Sequence, residues 1–212
     1  FGNASTAGAD LAVERWRTCA VVSNSARMLN HRLGDVVDSA DAVLRFNDGK
    51  TAGFEAFVGS KTTVRMANHA FASRSARGDR TSTFVIQGPS PGPRLANRAY
   101  HLNTSAGGDS FVEVVANVTN VRWATSGLLG VVLMLRRCRT VRVFELAPSE
   151  TSDGGRCHYA AEPPDKGALA KVDCRCPHQC RLERAFVRYG AARSDALRRD
   201  GWADLTVESV AR

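Results

Sequence analysis

The stretch KVDCRCPHQCRLERAFV, residues 171–187, places Cys174, Cys176, His178 and Cys180 at every second position ahead of an amphipathic run. Three chemistries use such a set. Thiolates and an imidazole ligate zinc, although structural zinc sites usually separate paired cysteines by two to four residues so that a loop can wrap the ion. Oxidised cysteines form disulfides, and Cys157, Cys174, Cys176 and Cys180 allow three pairings among themselves. A single histidine can also act as a general base. Pro177 is a favoured first-turn residue of a helix, and the positive end of that helix favours the neutral imidazole of His178, the form that accepts a proton. The alternating spacing favours a disulfide frame presenting one reactive histidine over a metal centre. Glu183 lies about 140° further round a continuous helix than His178, so it is assigned to holding the helix rather than to orienting the ring.

Two further sets carry polar chemistry. His158 and Tyr159, next to Cys157, are hydrogen-bond donors for phosphate oxygens; Tyr159 reads equally well as a half-buried aromatic with a satisfied hydroxyl. Thr125, Ser126 and Gly127 open the apolar run SGLLGVVLMLRRC, residues 126–138. Thr125 or Ser126 is a helix cap, the exposed N–H groups behind it suit an anion, and Gly127 permits close approach.

The bounds on class are broad. The 212 residues suffice for one domain with a substantial core. The net charge of +8 comes from basic residues scattered without a run of five or six, which reads as a solvated basic surface rather than a nucleic-acid groove. Six cysteines and Asn-x-Ser/Thr triplets at Asn3, Asn103 and Asn117 point to an oxidising, secretory compartment. The apolar run GLLGVVLML, residues 127–135, is too short to span a bilayer. The abrupt opening at Phe1 is read as that of a catalytic fragment separated from an N-terminal anchor.

Strand-like and helix-like runs alternate. TCAVVSN (18–24), DAVLRFND (41–48), TTVRMAN (62–68), TFVIQG (83–88) and TVRVFEL (140–146) read as strands. RMLNHRLGDVVDS (27–39), residues 126–138 and residues 177–200 read as helices. The pattern predicts one α/β domain with a largely parallel sheet flanked by helices. Ligands of such sheets bind beyond the carboxyl ends of the strands, where Ser23, Asn24, Ser25, Asn47, Asp48 and Asn68 fall. Polar residues there form a ligand shelf, or serve only as turn formers and caps. Neither a GxGxxG after the first strand nor a Walker lysine is present, so a dinucleotide or triphosphate cradle is not indicated. Of the nearby cations, Lys61 and Arg65 are expected to be solvated.

CAVVSNSARMLNHRLGDVVDSADAVLRFNDGKTAGFEAFVGSKTTVRMAN, residues 19–68, resembles the large sialyl motif of the eukaryotic sialyltransferases. ATSGLLGVVLMLRRCRTVRVFELAPSE (124–150) resembles the small motif, CHYAA (157–161) the third, and the His-x4-Glu of HQCRLE (178–183) the very small motif. The phrases CAVVS, DAVLRFN and FELAPSE are most similar to the branch that sialylates position 6 of galactose.

The resemblance implies a single Rossmann-like domain over residues 1–212, a GT-A-like variant. It implies an inverting glycosyltransferase moving sialic acid from a CMP-sialic acid donor to a terminal galactose or N-acetylgalactosamine of a glycoprotein or glycolipid. No cofactor or metal is expected, nor a nucleic-acid partner, and the setting is the Golgi lumen, as part of a type II membrane protein. Asn24, Ser25, Asn47 and Asn68 would lie along the CMP; Thr125, Ser126 and Gly127 would face the donor. His158 and Tyr159 would stand at the phosphate, with His178 as the base. Disulfides Cys19–Cys138 and Cys157–Cys174 are implied. Ala124 stands where the small motif usually has proline, and Ala160 and Ala161 replace an aromatic and a polar residue of the third motif. Two other classes stay open: a zinc- or disulfide-framed module binding nucleic acid or glycan, and an inactive relative of the transferases.

Overall fold

The computed structural model describes residues 15–88, 93–104, 124–146 and 159–160, with Val115, Val187 and the backbone of 204–208. Seven strands form one sheet: β1 (Trp16–Val22), β2 (Ala42–Phe46), β3 (Val64–Asn68), β4 (Thr83–Gly88), β5 (Ala99–Asn103), β6 (Cys138–Phe144) and β7 (Asp204–Glu208). Their order is β5-β4-β3-β2-β1-β6-β7, and every pair is parallel. Central strands of such a sheet are covered on both faces and are therefore apolar throughout. All five residues of β2 are buried, Arg45 included.

Alternate residues serve the two faces. Cys19, Val21, Leu44, Phe46 and Met66 point to one core. It is covered by α4 (Ser126–Leu135), in which every residue from Leu128 to Leu135 is buried. A helix apolar all round belongs inside, and each such side chain contributes roughly 1.5–3 kcal/mol on burial. Ala20, Val22, Val43 and Phe144 point the other way. There they meet a short 3-10 turn (Ala26–Asn30), α1 (Gly34–Asp38) and α2 (Glu55–Val58), with α3 (His69–Arg77) further along that face.

The chain steps outward from β1 to β5 with its helices on one face. It then returns through α4 on the other face to place β6 on the free side of β1. Direction and face reverse together, as right-handed crossovers demand. The carboxyl ends of β1 and β6 thus flank the topological switch point, where doubly wound sheets bind their ligands. A disulfide between Cys19 and Cys138 ties β1 to the start of β6, with Cα atoms 6.1 Å apart.

Residues 27–39 do not form the continuous helix expected. His31 is extended, with φ −140° and ψ 140°, and separates the 3-10 turn from α1. The last strand expected before residue 147 begins earlier, at Cys138. Strands β5 and β7 and helices α2 and α3 were not foreseen; α2 is a single turn, and β5 and α3 are short and rich in polar residues.

Candidate functional site at the switch point

The loop after β1 is built from successive side-chain turns. Ser25 N–H donates to Ser23 Oγ at 2.9 Å, and Arg27 N–H donates to Ser25 Oγ at 3.3 Å. Ser23 N–H donates to the carbonyl of Phe144, which holds this loop against the end of β6. Ser25 is itself buried, so its hydroxyl caps the turn rather than facing a crevice.

Asn24, Asn47 and Asn68 come together as a chain of contacts. Asn24 Nδ2 donates to the Phe46 carbonyl at 3.1 Å. Asn47 adopts φ +46°, a left-handed conformation that asparagine tolerates better than most residues. Its Oδ1 accepts the N–H of Asn68 at 3.0 Å. Asn68 Oδ1 in turn caps α3 through the N–H of Phe71. One amide atom of each side chain is spent on backbone, and the other half of each carries no bond among the described residues. Gly49 closes the group: a Cβ there would lie 2.6 Å from Asn24 Oδ1 and 3.1 Å from the Phe46 carbonyl.

The second wall is the start of α4. This helix ends two residues before β6, whose first residue pairs with Trp16 at the amino end of β1. Its N-terminus therefore lies at the carboxyl end of the sheet. Thr125 Oγ1 accepts the Leu128 N–H at 3.1 Å. The N–H groups of Ser126 and Gly127 lack intrahelical acceptors, as at any helix start. Gly127 lies against Leu146, whose Cδ1 would be 3.3 Å from an added Cβ. Beside it Ala124 packs on the core edge.

Tyr159 stands beneath the shelf rather than at an open phosphate position. It is 2% exposed, its hydroxyl donates to the Lys50 carbonyl at 2.7 Å, and its ring meets Phe54 edge-on at 5.1 Å. Its N–H donates to the Asn24 carbonyl. Of its two readings, the buried aromatic with a satisfied hydroxyl is the one seen. Burial raises its phenol pKa above the ordinary value, against the pull of nearby Arg45.

Arg45, buried under Tyr159, donates to the carbonyls of Val58 and Lys61 and to Thr62 Oγ1. Burial lowers its pKa to about 10, which leaves it charged at neutral pH. Asp38 clamps the same loop, accepting the N–H groups of Ser60 and Lys61 and the Ser60 hydroxyl. Burial pushes its pKa up, and those bonds together bring it below the usual range.

Arg65 is not solvated, contrary to the expectation from sequence. It is buried, its Nε lies 2.8 Å from Asp79 Oδ2, and its Nη1 donates to the Asn47 carbonyl at 2.9 Å. Lys61 is exposed as expected, though its Nζ donates to the Ala40 carbonyl. Sequence reasoning also passed over Arg27 and Glu145, which pair across the switch point at 3.6 Å. The one available signal was an acid inside the apolar VFEL. Candidates His158 and His178, cysteines 157, 174, 176 and 180, Glu183 and Ala161 lie outside the described residues. Among the described residues no group of three or more His, Cys, Asp or Glu could hold a metal ion.

The profile of Glycosyltransferase family 29 (sialyltransferase) matches residues 3–87, which carry β1 to β4 and the asparagine shelf. A beta-galactoside alpha-2,6-sialyltransferase 2 from Danio rerio is 33% identical over 89% of this chain and 42% of its own length. The protein of that name from Homo sapiens is 30% identical over 68% of this chain and 33% of its own. Over residues 3–87 the chain matches the sialyltransferase family. It spans a third to two fifths of the length of these curated relatives. The fold agrees with a mammalian sialyltransferase crystal structure at a TM-score of 0.59, covering 90% of this chain and 76% of that one at 20% identity. A second, at the same TM-score and 19% identity, is a mammalian sialyltransferase in complex with Gal-beta-1-3GalNAc-ortho-nitrophenol. The Rossmann-like α/β architecture expected from the sialyltransferase motifs is thus the one observed, and so is the Cys19–Cys138 bridge between the large and small motifs.

Proposed function

We propose that this protein transfers sialic acid from CMP-sialic acid to a terminal galactose or N-acetylgalactosamine hydroxyl of a glycan, inverting the sugar carbon. The observation that carries the reading is the carboxyl end of the sheet, where three asparagines close β1, β2 and β3 and the capped start of α4 also lies, in a chain with this family match. Asn24, Asn47 and Asn68 hold the cytidine phosphate through their free amide halves, and the N–H groups of Ser126 and Gly127 receive an anion.

The chemistry follows from the donor. The bond from the anomeric carbon to the CMP oxygen breaks as the acceptor oxygen bonds to that carbon, through an oxocarbenium-like transition state. The acceptor hydroxyl's proton passes to His178, and negative charge collects on the departing phosphate, which His158 stabilises. Neither step calls for a metal. A Cys157–Cys174 bridge frames the base, and the Golgi lumen is the setting; among the described residues no helix is long and apolar enough to cross a membrane.

The test is CMP release from CMP-sialic acid with a galactoside acceptor, run for the protein and for His178→Ala, with and without EDTA. Release that His178→Ala abolishes and EDTA spares supports the reading. Equal release by both proteins removes His178 as the base. Stoichiometric zinc whose chelation unfolds the protein would establish the binding-module alternative instead. CMP binding without turnover would establish an inactive relative, consistent with Ala160 and Ala161 in the third motif.

A further inference from the structure

Glu145 and Arg27 face each other at the carboxyl ends of β6 and β1. Glu145 is 8% exposed and holds φ +45°. A glutamate in that left-handed conformation is strained, and it persists only where its surroundings hold it. Its Oε2 lies 3.6 Å from Arg27 Nε, an ion pair too long to be a hydrogen bond. Arg27 Nε is buried and makes no hydrogen bond among the described residues, yet the side chain as a whole is 28% exposed. The carboxylate thus holds the inner edge of the guanidinium, and the terminal nitrogens carry no bond among the described residues.

Position gives the pair its meaning. Arg27 sits in the 3-10 turn that follows Asn24, its N–H pinned by Ser25. Glu145 precedes Leu146, which packs on Gly127. The guanidinium therefore stands at the carboxyl ends of β1 and β6, paired with the neighbour of the leucine that packs on the start of α4. A donor carrying a phosphate and a carboxylate brings two oxyanions to that end of the sheet, and the planar fork of an arginine matches either. Glu145 offsets the charge of the guanidinium and holds its inner edge.

We propose that Arg27, oriented by Glu145, binds an oxyanion of the nucleotide-sugar donor at the switch point. The inference rests on the sialyl-transfer reading. Calorimetry with cytidine, CMP and CMP-sialic acid tests it on the protein and on Arg27→Gln, Arg27→Lys, Glu145→Gln and the Arg27→Gln/Glu145→Gln double variant. Loss of a charged hydrogen bond predicts CMP binding weaker by about tenfold or more in Arg27→Gln, with cytidine unchanged. A loss seen only with CMP-sialic acid assigns the sugar carboxylate as the oxyanion. Because Glu145 acts through Arg27, the double variant binds no more weakly than Arg27→Gln alone. Should Arg27→Gln melt early, Arg27→Lys carries the same comparison. Unchanged affinities in variants that melt with the parent overturn the proposal, as does an equal loss for cytidine and CMP. A parent protein that binds none of the three ligands overturns the sialyl-transfer reading with it, whereas a parent that binds while its variants do not differ overturns only the role of Arg27.

Discussion

Asn47 Oδ1 accepts the backbone N–H of Asn68 at 3.0 Å, so a side chain at the end of β2 fixes the end of β3. The same Asn47 sits at φ +46° and gives its carbonyl to Arg65. One residue thus joins three parts of the shelf: a backbone reversal, a neighbouring strand and a buried cation.

Substitutions at Asn47 separate these parts. Asn47→Ala removes the acceptor and strains the backbone, and we expect a loss of about 2–3 kcal/mol by chemical denaturation. Asn47→Asp keeps both the acceptor and the tolerance of left-handed φ, so its stability stays within about 1 kcal/mol of the parent. Its new negative charge faces an anionic ligand, and CMP binding falls by about tenfold or more. An Asn47→Asp protein that binds CMP like the parent would take Asn47 out of the site.

How much of this was legible beforehand differs by residue. Strands β1 to β4 show in sequence because strands buried on both faces write an apolar run, and α4 because it is buried all round. The asparagines show because a polar residue ending such a run needs a reason. What they bond to does not show, since Asn47 meets Asn68 only once β2 and β3 are side by side. Arg65 reads as a surface cation because its partner Asp79 is brought to it by the α3 crossover. Glu145 gives one weak sign, an acid between apolar neighbours, and its left-handed φ has none. The half-buried edge strand β5 lacks the apolar run that marks the centre of the sheet.

Gly49 tests whether Asn24 matters to binding or only to folding. An alanine there would put its Cβ 2.6 Å from Asn24 Oδ1, the end of a side chain that can swing away. Gly49→Ala should therefore cost about 1–2 kcal/mol while breaking the bond from Asn24 to Phe46. We expect a several-fold weaker affinity for CMP by calorimetry. Loss of stability with unchanged CMP affinity would make Asn24 a purely structural residue.

The Cys19–Cys138 bridge closes a sequence separation of 119 residues. In the entropic model that constraint is worth about 5 kcal/mol. Denaturant titration of Cys19→Ala/Cys138→Ala should show a loss of that order, together with the cost of two buried truncations, and reductant should lower the melting temperature of the parent by more than that of the variant. A parent whose melting is indifferent to reductant would mean that the bridge does not form in solution.

Asp79 gives the fold a pH dependence of definite sign. Burial raises its pKa, and the Ser82 hydroxyl, Arg65 and the Ser82 N–H together carry it below the ordinary value. A carboxylate depressed in the folded state stabilises it fully above its unfolded pKa of about 3.9, and that contribution fades as pH falls below it toward the lower folded value. At neutral pH Asp79→Asn leaves Arg65, whose side chain is 8% exposed, without its counter-charge, and a broken buried pair costs about 3 kcal/mol. Below pH 4 the parent loses the same interaction by protonation, so the two proteins should converge in stability. Denaturation at a series of pH values reads the gap directly. A gap that widens as acid is added would mean that Asp79 is protonated more easily in the folded protein than in the unfolded chain, the reverse of what its bonds to Arg65 and Ser82 require.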